Sequence, residues 1–327
     1  MRARRSLLDL DDLSGEELTY LFERAREFDL LQSMGASHYL REEMNLPLRG
    51  VACVNMFFEQ STRTFTSFNL AELRLGADVV NLSPKDLSLA TKGESDEDTA
   101  ITLSAMGISV LVLRHPEAEY PRRISMVFDG HVINAGDGTH AHPTQALLDI
   151  HTLREEFGDI TGRNVAIVGD ILHSRVAHSL THGLRRMGAN VALVGPETFL
   201  PDSYTVAAES SNGAVTVTRD FDTIIPDVDA IVLLRIQRER FSSENHAGTI
   251  DDREYIERFQ LHGKRLAKLS PDAIVMHPGP YNRGVELDDS VLSFTGWRYA
   301  KQIAHGVSVR MAVLDFLVNG IRAGVKL

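Results

Sequence analysis

Ser61-Thr62-Arg63-Thr64 places three hydroxyls and one guanidinium on four consecutive positions, just after the apolar run 51–57 and the link Phe58-Glu59-Gln60. Phe68, Leu70, Ala71 and Leu73 follow at helical spacing, so the stretch predicts a buried strand, a tight turn and a helix that starts at the strand's C-terminal end. Free N–H groups of a helix start, the positive end of its dipole, the hydroxyls and Arg63 would then converge on one point, which is what a phosphate needs. An ordinary Ser/Thr cap beside a surface arginine has the same local pattern, so the reading depends on what else reaches that edge. Arg114 closes the apolar run 109–113 and emerges where ligands bind in open α/β sheets. His142 and Gln145 open a helix after Asn134-Ala135-Gly136-Asp137-Gly138, which reads as a tight turn. Further on, Gly169-Asp170 precedes a helix bearing Arg175, Arg235 and Gln237 end the run 230–234, and His277-Pro278-Gly279-Pro280 follows the run 273–276. Taken together they predict a polar, cationic site for a small phosphorylated substrate.

The elements that must position these residues alternate. Ser14-Gly15-Glu16-Glu17 is a capping box, and Leu18, Leu21, Phe22 and Ala25 give a helix to about Leu31. Apolar runs at 51–57, 77–82, 109–113 and 132–135 predict one parallel sheet; runs at 164–169, 190–194, 214–218, 230–234 and 273–276 predict another, with helices such as 174–187 between strands. The expected fold is therefore α/β, with two doubly wound parallel-sheet domains. Pro143 suits the first turn of the helix carrying Leu147 and Leu148, and the junction is placed there: residues 1–143, 144–303, and a C-terminal helix over 304–327 that crosses back to the first domain. The polar stretch 237–268 reads as a mobile loop plus helix of the lid type, or as a solvated insertion.

Composition narrows the function. A chain of 327 residues with 43% hydrophobic content can build two cores, and its net charge of -11, without a basic stripe, excludes a nucleic-acid binder. The basic cluster Arg2-Ala3-Arg4-Arg5 is followed by alternating Leu and Asp, so neither a leader nor a membrane span is expected and the cytoplasm is the expected location. The single cysteine, Cys53, reads as a small buried hydrophobe. His140-Ala141-His142 lacks a partner at recognisable metal spacing, so no metal is expected. There is no Gly-x-Ser-x-Gly elbow for an acyl-enzyme, and Gly169-Asp170-Ile171-Leu172-His173-Ser174 lacks the Gly-x-Gly-x-x-Gly of a dinucleotide site.

Phe57-Phe58-Glu59 with Ser61-Thr62-Arg63-Thr64, His142-Pro143-Thr144-Gln145 and His277-Pro278-Gly279-Pro280 resemble the signatures of the aspartate carbamoyltransferase family. The resemblance extends through Ser88 and Lys92-Gly93-Glu94, Arg114-His115-Pro116, Ser174-Arg175, Gln237-Arg238-Glu239-Arg240 and the segment 306–313. It implies transfer of a carbamoyl group from carbamoyl phosphate to L-aspartate, an early step of pyrimidine biosynthesis. Carbamoyl phosphate would meet Ser61, Thr62, Arg63, Thr64, Arg114, His142, Gln145 and Ser88, with Arg63, Thr64, Arg114 and His142 catalytic; aspartate would meet Lys92, Arg175, Arg235, Gln237, Gly279 and Pro280. The resemblance also implies no cofactor and a homotrimer in which Ser88 and Lys92 reach into a neighbour's site, alone or within an assembly with regulatory or dihydroorotase-like chains. Glu59 would pair across the crevice with Arg175 or Arg240 and couple closure to binding.

Phe65 stands where that family carries arginine, and Asn69 where it carries glutamate. Four residues apart on a helix, the usual pair forms an i,i+4 ion pair of roughly 0.2–0.5 kcal/mol. Its joint loss reads as a replaced helix pair with Phe65 packing instead, or as a change in affinity or acceptor. Ornithine-type enzymes of the family carry cysteine where this chain has Thr144 and Pro278, which disfavours ornithine as acceptor. A carbamoyltransferase for another amino acid, or a catalytically weak paralogue serving as an assembly partner, are the rival readings.

Overall fold

The computed structural model describes residues 5–35, 46–83, 93–201, 213–237 and 251–321. Two compact units form: Met1–His151 with Ile303–Leu327, and Thr152–Gln302.

The first unit opens with α1 (Gly15–Ser33), whose N-cap Ser14 accepts from Glu17 N–H while the Glu17 carboxylate accepts from Ser14 N–H, as the capping box requires. Strands β1 (Ala52–Phe57), β2 (Asp78–Leu82), β3 (Val110–His115) and β4 (His131–Asp137) alternate with α2 (Thr62–Arg74), α3 (Asp96–Ala105) and α4 (Tyr120–Ser125). All pairings are parallel, in the order β2-β1-β3-β4. Val54, Met56, Leu111, Leu113 and Val132 pack with Tyr120, Ile124 and Phe128. Each such side chain contributes about 1.5–3 kcal/mol by leaving water, which is why the central strands read as continuous apolar runs.

Asn134-Ala135-Gly136-Asp137 is not a turn but the end of β4; the chain reverses at 138–140, and Ala141 bridges back to Asp137. The turn-type residues are satisfied within the strand. Asn134 Nδ2 donates to the Leu8 carbonyl at 3.0 Å and to Asp137 Oδ1 at 2.8 Å, and Asn134 Oδ1 accepts from Gly136 N–H at 2.8 Å.

Helix α5 (Pro143–Phe157) begins at Pro143, as its missing N–H favours. The division between units falls after His151, inside this helix rather than at its first turn. A helix that continues through a boundary leaves no break in its pattern for the sequence to show.

The second unit holds β5 (Asn164–Val168), α6 (Arg175–Arg186), β6 (Asn190–Val194), β7 (Val215–Thr218), α7 (Phe221–Ile224), β8 (Ala230–Leu233), α8 (Asp252–Phe259), α9 (Gly263–Leu266), β9 (Ile274–Met276) and α10 (Asp289–Leu292). Its sheet is also parallel, ordered β7-β6-β5-β8-β9, with Ala166, Val168, Ile231, Leu233 and Val275 packed against Phe199, Phe221, Tyr255 and Phe259. Of the stretch read as a loop plus helix, residues 238–250 lie outside the described residues; α8 and α9 follow, and α8 buries Tyr255 and Phe259.

The last helix, α11 (Tyr299–Asn319), starts before residue 304, and its residues from Ile303 onward belong to the first unit. There Asp315 Oδ2 accepts from Arg24 Nε at 2.9 Å, and Asn319 donates to the Pro47 carbonyl at 3.1 Å. Among the described residues no helix is long and apolar enough to cross a membrane.

Candidate active site

In a parallel sheet, a crevice opens at the C-terminal ends of two neighbouring strands where the strand order reverses. In the first sheet that point lies between β1 and β3. Phe57 is in register with Arg114, and Phe58 N–H donates to the Arg114 carbonyl at 2.8 Å, so the turn leading to Ser61 starts beside Arg114. Ser61 caps α2, although its hydroxyl is a long 3.4 Å from Thr64 N–H. Thr62 is exposed, Ser61 and Arg63 are half-buried, and Thr64 is buried. The first-turn N–H groups of α2 have no acceptors within the helix.

Arg114 Nη1 donates to the Ala135 carbonyl at 3.1 Å and Nη2 lies 3.3 Å from Glu59, which fixes the guanidinium at the reversal point. Within the first unit Glu59 thus has Arg114, a residue of the same strand-end cluster, as one partner. Beyond β4, buried His142 immediately precedes α5, its carbonyl accepting from Gln145 N–H at 3.0 Å, while Gln145 Nε2 donates to Asp149 at 2.9 Å. Asp137 organises the preceding loop by accepting from Glu119 N–H at 2.8 Å, from Ala141 N–H at 3.0 Å and from His140 Nδ1. Burial works against its charge, but these hydrogen bonds hold its carboxyl below the usual range. His140 is therefore committed to Asp137 and to Glu119, 2.8 Å from Nε2. Ser61, Thr62, Arg63, Thr64, Arg114, His142 and Gln145 all come to the ends of β1, β3 and β4.

Phe65 packs edge-on against Phe57, ring centroids 5.4 Å apart, so an aromatic contact occupies the place of the family's arginine. The helix's buried carboxylate is Glu72, which takes a hydrogen bond from Asn55 Nδ2 at 2.6 Å. Burial pushes its carboxyl up to about 8. A carboxyl raised in the folded state stabilises fully below its unfolded value near 4.5, and that contribution is lost as pH rises toward about 8. Glu72→Gln is therefore expected to gain stability over the parent across this window, by up to about 1.4 kcal/mol per pH unit. Urea unfolding at pH 5 and pH 8 measures it; a difference that does not grow with pH contradicts the buried acid.

In the second sheet the order reverses between β5 and β8. Gly169 leaves β5 at φ +135°, and a Cβ there would meet the Leu234 carbonyl at 2.7 Å, so the close approach of the two strand ends requires glycine. Buried Asp170 ties the edge together: Oδ1 accepts from His173 N–H at 3.2 Å and lies 2.8 Å from His173 Nδ1, and Oδ2 accepts from Gln237 N–H at 3.2 Å. Ser174 caps α6, accepting from Ala177 N–H at 3.2 Å, and Arg175 is the first residue of that helix. Arg235 and Gln237 follow β8, both half-buried. After β9, His277 N–H donates to Gln302 Oε1 at 2.9 Å and Gly279 N–H to His277 Nδ1 at 2.8 Å, which shapes the turn before Pro280. Within the second unit, Arg175, Arg235, Gln237, Gly279 and Pro280 thus share one sheet edge. Ser88, Lys92 and Arg240 lie outside the described residues.

One cluster escaped the sequence. Asp29, His151 and His305 converge in the first unit, with one potential ligand atom each and all three atoms within 4.8 Å of one another. Separated by more than a hundred residues at each step, they offer no spacing that a motif could register.

The carbamoyl-P binding domain of the aspartate/ornithine carbamoyltransferases matches residues 5–155, and their Asp/Orn binding domain matches residues 161–317. An aspartate carbamoyltransferase catalytic subunit from Salinispora arenicola is 49% identical over 281 residues, covering 86% of this chain and 89% of the relative. A solved ornithine carbamoyltransferase from Pyrococcus furiosus superposes with a TM-score of 0.84 at 29% identity, covering 98% of this chain and 99% of that one. Aspartate transcarbamoylase from Trypanosoma cruzi, solved with carbamoyl aspartate and phosphate, gives a TM-score of 0.79 at 29% identity, covering 95% of each chain. Two matched domains spanning nearly the whole sequence, and the motifs that sit at two strand-order reversals, lead to one conclusion: the chain belongs to the aspartate/ornithine carbamoyltransferase family.

Proposed function

We propose that the chain transfers the carbamoyl group of carbamoyl phosphate to the α-amine of L-aspartate, giving N-carbamoyl-L-aspartate and phosphate. The observation that carries this reading is the pair of cationic strand-end sites, Ser61–Thr64 with Arg114 in one unit and Arg175 with Arg235 in the other, each at the reversal of its sheet. An enzyme that joins two anions needs two such grips. In the first, Ser61, Thr62, Arg63, Thr64 and Arg114 hold the phosphate, with Gln145 on the carbamoyl nitrogen and Ser88 supporting. In the second, Arg175, Arg235 and Gln237 hold the aspartate carboxylates, with Gly279, Pro280 and Lys92.

The uncharged amine attacks the carbamoyl carbon, its nitrogen–carbon bond forms and charge builds on the carbonyl oxygen. Thr64, Arg114 and His142 are donors of the kind that stabilise such an oxyanion. The carbon–oxygen bond to phosphate then breaks, and the amine proton leaves with the phosphate. Holding two anions together against their repulsion supplies much of the acceleration.

L-Aspartate is favoured over ornithine because relatives at 44–49% identity are named aspartate carbamoyltransferase catalytic subunits. Thr144 and Pro278, at the positions of the ornithine-type cysteines, agree with this. The same reading makes the working form a cytoplasmic homotrimer with shared sites, and the relatives' designation as subunits is compatible with a larger assembly. An acceptor screen with carbamoyl phosphate tests the reading: colorimetric detection should show carbamoyl-aspartate and no citrulline from ornithine. Faster turnover of ornithine, or no turnover of either, overturns it.

A further inference from the structure

We infer that Asp29, His151 and His305 form a binding site for a zinc-class divalent metal that ties three helices of the first unit together. Asp29 lies on α1, His151 on α5 and His305 on α11. His151 Nε2 is 2.7 Å from Asp29 Oδ2, and His305 Nε2 is 3.9 Å from the same oxygen. Tetrahedral zinc with bonds of about 2.0–2.1 Å sets its ligand atoms about 3.3 Å apart, midway between those two separations, so small side-chain shifts bring the three into coordination.

The surroundings hold the ligands in place. His151 and His305 are 1% and 5% exposed, so neither ring can swing into solvent, and Phe22 stacks parallel to the His151 ring with centroids 6.2 Å apart. The two imidazoles face each other edge-on at 4.9 Å. Ser308, one turn beyond His305, donates its hydroxyl to Asp29 Oδ1, which leaves Oδ2 directed at the two rings. Such outer hydrogen bonds orient ligating carboxylates in metal sites. The Asp29 side chain is 22% exposed, which gives an entry path and room for water as a fourth ligand. Two imidazoles and one carboxylate suit zinc, cobalt or nickel; calcium and magnesium require oxygen ligands. The rival account of the same geometry is a hydrogen-bonded histidine–aspartate cluster with no metal.

Full-length protein stripped with chelator and titrated with Zn(II) or Co(II) near pH 7.5 decides between them. The expected result is one equivalent of metal per chain, a cobalt spectrum of low coordination number, and a higher unfolding temperature through linkage. His305→Asn should weaken binding at least about 100-fold and Ser308→Ala about tenfold, since lost ligands cost more than outer-shell partners. The Ser308→Ala variant keeps the proposal testable if His305→Asn folds poorly. A folded parent that takes up no metal, or equal affinity in the parent and both variants, overturns the site.

Discussion

Arg63→Ala is expected to lower kcat/KM for carbamoyl transfer by about 10²–10³-fold while leaving the unfolding midpoint near the parent's. The kinetic loss corresponds to the roughly 2.7–4 kcal/mol that removal of one preorganised charged donor takes from transition-state stabilisation. The structural silence follows from the position: Arg63 is the second residue of α2, half-buried, and no ion pair engages it among the described residues. His142→Ala should show a comparable kinetic loss with a stability cost as well, because that ring is 4% exposed. Initial rates with saturating aspartate, beside a thermal unfolding scan, separate the two effects. Parental turnover in Arg63→Ala contradicts the phosphate grip itself.

The largest expected loss of stability is at Asp315→Ala. Asp315 is fully buried, its partner Arg24 is 6% exposed by side chain, and the pair closes at 2.9 Å between α1 and α11. Burial opposes the Arg24 charge, but Glu27 and Asp315 hold its pKa above the usual value. Removing one partner of a buried pair costs about 3–5 kcal/mol because the other charge stays behind uncompensated. Glu27, 2.6 Å from Arg24 on the solvent side, softens this toward the lower figure. A fall of at least about 6 °C in the unfolding midpoint is expected at about 2–4 °C per kcal/mol. Asp289→Ala, which breaks an exposed contact with Arg283 at 3.9 Å, should stay within about 0.5 kcal/mol. Equal midpoints for Asp315→Ala and the parent contradict the assigned role.

Most strands of both sheets could be read from the sequence because parallel strands are buried on both faces and leave unbroken apolar runs. The strand-end arginines could be read for a related reason: a charge that closes such a run has only the sheet edge to occupy, as Arg114 and Arg235 do. Side-chain satisfaction misled the reading at Asn134–Asp137, where turn-forming residues complete a strand by bonding one another. Asp29, His151 and His305 meet only after three helices have packed, and the division inside α5 leaves no mark on that helix's pattern.

The interrupted course of the first unit has a consequence for synthesis. Its opening stretch is made before the second unit, yet Asp315 is separated from Arg24 by 291 positions and is synthesised only after that unit. At about 5–20 residues per second, the early helix waits many seconds for its partner. The second unit, by contrast, is continuous from Thr152 to Gln302, and all its strands are available before the closing helix of the first unit is complete. The chain's order of manufacture therefore lets the later-encoded unit finish ahead of the earlier one, and it leaves Arg24 without its Asp315 partner until α11 arrives.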